Sequence, residues 1–251
     1  MRQVQLDHGA ATDVGLVREV NEDALLAVPP VFVVADGMGG HDGGDVASSI
    51  VVEEFARLAE SGYDPRNAVE AVRTALRASQ DRIREYSEVQ RRRGVSRRRH
   101  AGTTAVVALL ADDDGPMWLL ANLGDSRAYR FTGGVLAQVS VDHSLVQELV
   151  DAGRLEPAAA ATHPKRNVIT RALGDPEGVE ADFFVLPIDP AERLLQCTDG
   201  ITGMHDDHEV AAVLAAASDP RDAADQLVAA AVAAGGEDNA TAVVIDVVGA
   251  S

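Results

Sequence analysis

The sequence predicts an α+β fold of two packed sheets covered by helical pairs. Strand-like segments come in runs and helix-like segments in pairs, whereas a parallel sheet would call for strict alternation of the two. The apolar run VFVVA at 31–35 reads as a buried strand. No internal repeat or linker divides the chain. One domain over residues 1–251 is therefore expected, large enough to fold on its own core.

Each element has its own signal. Residues 4–10, 24–28 and 31–35 read as strands, the last stopping at the turn Asp36-Gly37-Met38-Gly39-Gly40. Residues 45–60 carry Val46, Ile50, Phe55 and Leu58 at helical spacing. Residues 65–90 repeat it with Ala68, Val69, Val72, Leu76 and Ile83, behind Asp64 as N-cap and Pro65 in the first turn. The arginine-rich run at 91–99 breaks the pattern. Strands follow at 104–110, 117–122, 126–131 and 135–139, the last two joined through Thr132-Gly133-Gly134 as a hairpin turn. Residues 144–152 form a short helix and 153–178 look irregular. Strands at 183–188 and 193–198, helices at 210–217 and 221–234, and a final strand at 240–248 complete the chain.

Charge narrows the function. Acidic residues number 40 against 22 basic ones, a net charge of −18. That balance argues against a nucleic-acid binder, whose affinity comes from cations neutralising phosphates, and against an anionic membrane surface. No apolar stretch is long enough to span a bilayer, and the opening MRQVQLDHGAATDVG has no apolar signal core, so a cytoplasmic protein is expected. Cys197 is the single cysteine, which excludes an intrachain disulfide.

The acids are placed informatively. Asp36 follows VFVVA, Asp199 follows LLQCT, Asp125 lies between two strands, and Asp23 and Asp238 each precede one. Isolated carboxylates at desolvated strand ends are costly, and a bound cation is the usual compensation for several together. Oxygen donors suit hard ions such as Mg²⁺ or Mn²⁺. Any one Asp-Gly pair also reads as an ordinary turn, and sequence alone leaves open whether the acids meet.

Eight segments carry a resemblance: TDVGLVREVNED, VVADGMGGHDGGDVAS, AGTTAVVALL, NLGDSRAYR, DHSLVQELVDAGRL, HPKRNVITRALG, CTDGITGM and GGEDNATAVVI. Their ordered set resembles the bacterial metal-dependent protein Ser/Thr phosphatases of the PPM (type 2C) family over nearly the whole chain. The resemblance implies a four-layer αββα sandwich of two antiparallel sheets flanked by helical pairs. It implies two Mn²⁺ or Mg²⁺ ions that share Asp36 and a water, the water attacking phosphorus in line without a phosphoenzyme. Gly37 would give a backbone carbonyl to one ion, Asp199 and Asp238 would hold the other, and Asp23 and Glu22 would hold ion-bound waters. Arg18 would bind the substrate phosphate, for which a guanidinium fork is suited. Asp125, with Asp199, would hold a weaker third ion, weakened further because Gly203 stands where an acid is common. Residues 142–173 match the flap beside the site, a segment that helps choose substrates.

Several residues have plainer readings. Arg18 also reads as a surface ion pair, and Asp125 as a cap before Ser126. Met38 stands where many eukaryotic members have a histidine, which leaves the general acid unassigned. His41 reads as a polar loop residue. The run at 91–99 reads as a solvated loop or as a docking patch for acidic substrates. His205 and His208 read as a polar helix start. Cys197 is not a Cys-x5-Arg nucleophile, since Gly203 stands six residues on; it reads as a buried strand residue. The expected partners are phosphorylated proteins and a Ser/Thr kinase, with no nucleic acid or membrane, for a monomeric enzyme. The competing function is a catalytically silent phosphoprotein-binding or scaffold module. A nucleotide-binding enzyme is disfavoured, because DGMGGHDGG lacks a Walker Lys-Ser/Thr.

Overall fold

The computed structural model describes residues 4–39, 43–94, 101–176, 178, 180–188 and 192–250. One sheet has the strand order β1 (Val4–Asp13), β11 (Ala240–Ala250), β10 (Arg193–Cys197), β7 (Arg127–Thr132), β8 (Val135–Gln138). The other has the order β2 (Asp23–Val28), β3 (Val31–Met38), β5 (Ala105–Asp112), β6 (Pro116–Leu123), β9 (Asp182–Pro187), with the two-residue β4 (Gly102–Thr103) on the end of β3. Every pairing is antiparallel.

Strand alternation builds the layers. Side chains of period two point to opposite faces, so Phe32 and Val34 of β3 enter the space between the sheets. There they join Trp118, Leu120, Leu194, Val243 and Ile245. Val31, Val33 and Ala35 face the other way and pack against α1 (Gly44–Ser61) and α2 (Ala68–Arg92) through Ile50, Val51, Phe55, Val72 and Ile83. On the opposite flank, Leu195, Cys197, Ala242 and Val244 meet α6 (Asp207–Ala216) and α7 (Pro220–Ala233) through Val210, Leu214, Leu227 and Val228. The result is the expected αββα order. Continuous apolar strands such as VFVVA are explained by burial on both faces.

Two polar clamps hold the sandwich at the end where β10 begins. Glu192 is buried, accepts a hydrogen bond from Trp118 Nε1 at 2.8 Å and lies 2.8 Å from Arg130 Nε. It thereby joins β6 of one sheet to β7 of the other. Arg193 pairs with Asp246 at 2.6 Å and donates to the carbonyls of Leu214 and Ala217, tying the end of α6 to its sheet.

The structure departs from the sequence reading at the edges of elements. Strand β1 runs on to Asp13 because it pairs with β11 as far as Asp13↔Ala240. Polar Thr12 and Asp13 gave no apolar signal there. Asp64 caps a 3-10 turn, Pro65–Asn67, accepting from Arg66 N at 3.0 Å, and α2 starts after it. Helix α6 begins earlier than expected, at Asp207, because Asp206 and Glu209 form a capping box. Around 142–173 lie α3 (Leu145–Asp151) and the short α4 (Pro157–Ala160). The segment returns to the body through the bridges Ser144↔Ile169 and Thr103↔Leu173. Of the run at 91–99, Arg91 and Arg92 close α2, while residues 95–99, like His41, lie outside the described residues. Cys197 is fully buried in β10.

Candidate active site

The site forms where strands of both sheets end. Asp23 opens β2 and Asp36 lies near the end of β3, and the two are direct cross-strand partners. Like charges opposite one another are unfavourable in a sheet, so this pairing calls for compensation. Asp199 begins α5 (Asp199–Thr202) and its carboxyl lies close enough to Asp36 for each to feel the other's charge.

Asp36, Asp23, Asp125, Asp199 and Asp238 feel one another's charge. Burial, then Asp23, Asp199, Asp125 and Asp238, push the Asp36 carboxyl well above the usual carboxylate range. Burial first, then Asp238, raises Asp199. Asp23 is pushed up to about 7, mainly by burial, against the opposing hydrogen bonds of Thr241 and Thr198. Asp125 is likewise pushed up to about 7 by burial and then by Asp199 and Asp142. Its Oδ1 is buried without a hydrogen-bond partner.

Arg18 lies on the loop between β1 and β2, half exposed, with NH2 2.6 Å from Asp238 Oδ2. The other oxygen of Asp238 accepts from Asn239 N at 2.9 Å. Glu22 sits on the same loop, its carbonyl accepting from Gly37 N at 3.1 Å. Gly37 has no room for a side chain: a Cβ would fall 2.3 Å from Gly44 O and 2.4 Å from Glu22 O. Only glycine lets the β3 backbone come this close to both neighbours.

Threonines and one asparagine, which the sequence reading passed over, hold these groups. Thr198 and Thr241 hydroxyls donate to Asp23 Oδ2 at 2.9 and 2.7 Å. Thr104 Oγ1 accepts from Asp36 N at 2.9 Å, and Thr103 Oγ1 donates to Asp36 O at 2.8 Å. Buried Asn239 donates to the carbonyls of Val14 and Val20 and accepts from Glu22 N, closing the loop that carries Arg18. His143 does similar work for Asp125. Its Nδ1 accepts from Gly124 N at 3.1 Å, and its Nε2 lies 3.1 Å from Asp182 Oδ2. Arg171 reaches the other oxygen of Asp182 at 3.2 Å, so the 142–173 segment is linked to the turn before Asp125. The signals were present in AGTT, CTDG, EDNAT and VDHS, but strand threonines read first as β-formers.

Among the described residues, no three His, Cys, Asp or Glu side chains form a ready-made ion cage. The donors nevertheless fit hard divalent ions: they are all oxygens, burial and mutual repulsion raise the Asp36 and Asp199 carboxyls, Asp238 takes a guanidinium, and Asp125 keeps an orphaned oxygen. A cavity of about 450 Å³ opens to one side, lined by Asp142, His143, Glu148, Arg171, Asp182 and Phe183 among others, and none of the five aspartates above lines it. Met38, at the end of β3, is partly buried and offers no titratable proton.

A family model described as protein phosphatase 2C matches residues 18–233. The chain belongs to the protein phosphatase 2C family. This phosphatase 2C chain is 35% identical over 247 residues to the serine/threonine phosphatase stp of Listeria monocytogenes, covering 94% of this chain and 93% of that one. It superposes on the serine/threonine phosphatase PstP/Ppp of Mycobacterium tuberculosis with a TM-score of 0.87 at 33% identity, covering 98% and 99% of the two chains. A PstP catalytic domain in complex with two manganese ions gives a TM-score of 0.84 at 32% identity, covering 98% and 100%.

Proposed function

We propose that this phosphatase 2C domain hydrolyses phosphoserine and phosphothreonine esters of proteins with divalent ions held at Asp36, Gly37, Asp199 and Asp238. The observation that carries the reading is the convergence of Asp23, Asp36, Asp125, Asp199 and Asp238 on one desolvated spot, with Arg18 at its rim. Buried Asp23, Asp36, Asp125 and Asp199, whose carboxyls are raised, beside Asp238 and Arg18 make an arrangement useful for ion binding and of little use in a scaffold. Divalent ions at that spot would supply a nucleophilic water near neutral pH and neutralise phosphoryl charge.

The chain's own residues do the rest. Asp36 takes the central position, since its main chain is stapled by Thr103 and Thr104 and its carboxyl meets Asp199. Asp23 and Glu22 orient water around it. Arg18 offers two N–H groups to phosphate oxygens, its place beside Asp238 keeping the guanidinium within reach of the acids. Asp125 and Asp199 are assigned a weaker third ion, and residues 142–173 are assigned the flap that selects substrates. Met38 carries no titratable proton, so it is assigned no part in protonating the departing serine oxygen. Manganese is the preferred reading of the ion, with magnesium as the alternative. A Ser/Thr kinase supplies the substrates, and the working unit is a cytoplasmic monomer. No helix of the described residues is long and apolar enough to cross a membrane.

The test is turnover of p-nitrophenyl phosphate and of a phosphothreonine peptide, with Mn²⁺ and with chelator. Activity is expected in Mn²⁺, lost in chelator and restored by the ion, and Asp36→Asn is expected to lower kcat by about 10³-fold or more. Turnover that persists in chelator, or a fully active Asp36→Asn, would overturn the reading.

A further inference from the structure

Among the described residues, three of the ten exposed large hydrophobic residues fall within five positions of one another, and Arg18 stands between them. Leu16 is 70% exposed, Val17 66% and Val20 55%. Single exposed apolar residues are ordinary, but a group beside a functional cation is not.

The loop that displays them is held firmly. Leu16 N donates to Gly236 O at 2.8 Å, and Gly15 N to Asp13 Oδ1 at 2.8 Å. Asn239 Nδ2 bridges Val14 O and Val20 O at 2.9 and 3.0 Å, and Asn21 Nδ2 reaches Thr12 Oγ1 at 2.9 Å. Gly15 has φ of 78° and no room for a Cβ, which would lie 2.4 Å from Asp238 O. The backbone is therefore pinned at both ends and next to an acid of the site, while its side chains point into solvent. An ordered loop binds without first losing much conformational entropy.

We propose that Leu16, Val17 and Val20 form an apolar contact surface for the residues flanking the phosphorylated side chain of a protein substrate. The proposal rests on the reading of Arg18 as the phosphate-binding residue. A phosphoserine held by Arg18 must carry its peptide neighbours past the residues adjoining Arg18, since successive residues of an extended chain lie only about 3.3 Å apart. The neighbours then meet Leu16 and Val17 on one side of Arg18 and Val20 on the other. Apolar flanking residues gain contact there, glycine gains nothing, and a small aryl phosphate has no flank to offer. The loop thus favours proteins over small esters and favours some sites within proteins over others.

The experiment compares three substrates in Mn²⁺: a phosphothreonine peptide with Leu and Val on either side, the same peptide with Gly on either side, and p-nitrophenyl phosphate. The wild-type protein is expected to prefer the apolar-flanked peptide about 5–10-fold in kcat/KM, chiefly through KM, a range set by what small apolar contacts discriminate. The variant Leu16→Ser/Val17→Ser/Val20→Ser is expected to lose that preference, and Val17→Leu to keep it. A wild-type protein that turns over the two peptides equally well overturns the proposal without any variant. So does a triple variant that keeps the wild-type preference. A concentration-dependent wild-type dimer that the triple variant abolishes also overturns it, by assigning the surface to a second copy of this chain. Absence of all turnover in Mn²⁺ would instead strike the phosphatase reading itself.

Discussion

Asp23 shows how one carboxyl is kept in place. Its Oδ2 takes two threonine hydroxyls, one from the end of β10 and one from β11, while its backbone faces Asp36. The acids themselves were legible in the sequence, because a carboxylate at the end of an apolar strand announces a desolvation problem. The threonines were not, because only the register of three separate strands brings Thr198 and Thr241 to Asp23. Asn239 was equally silent, its three hydrogen bonds reaching over two hundred residues back along the chain. Asn239→Ala leaves Val14 O, Val20 O and Glu22 N without that partner. It is expected to cost about 2–3 kcal/mol in chemical denaturation at roughly 1 kcal/mol per bond. It should also raise KM for phosphate esters by loosening the loop that carries Arg18. A variant as stable and as active as wild type would show that the clasp does neither.

At the level of elements, the long periodic segments were readable and the short ones were not. Helices α1 and α2, and strands such as β3 and β5, carry enough apolar repeats to declare themselves. β4 has two residues and α5 four, too few for either to carry an apolar repeat, and β4 exists because it pairs with β3. β4 pairs with β3 at Gly37↔Thr103 and Met38↔Gly102, which brings Thr103 to Asp36. The link between sheets through Glu192 was also invisible, since Glu192 lies 74 positions from Trp118. Glu192→Ala removes the carboxylate 2.8 Å from Arg130 Nε and the acceptor of the Trp118 indole N–H. The stranded indole donor alone costs about 1–3 kcal/mol. Thermal unfolding should show a Tm many degrees lower, with Glu192→Gln intermediate because it still accepts from Trp118. Equal Tm values for Glu192→Ala and wild type would remove the clamp from the stability of the fold.

For the whole molecule, the converging acids couple folding to protons. Asp23 and Asp125 carry folded pKa values of about 7, above their unfolded range near 4. The fold therefore holds protons that the unfolded chain has released, and stability falls as pH rises from about 4 to 7. Replacing Asp125 by Asn removes its share of that loss. In chelator, the Tm of Asp125→Asn minus that of wild type should grow between about pH 4 and 7 and level off above, and Mn²⁺ should shrink the difference by compensating the wild-type charge. A difference that stays flat or narrows with pH in chelator would reverse the sign assigned to Asp125. The lone sulfur in β10 carries a different consequence for the molecule. Cys197 has no exposed surface, and burial pushes its thiol up to about 12. Iodoacetamide and peroxide attack thiolates, and this chain offers them none. Treatment with iodoacetamide should leave hydrolysis intact while the native protein stays unalkylated by mass spectrometry, so a reagent that silences thiol-dependent phosphatases would leave this one working.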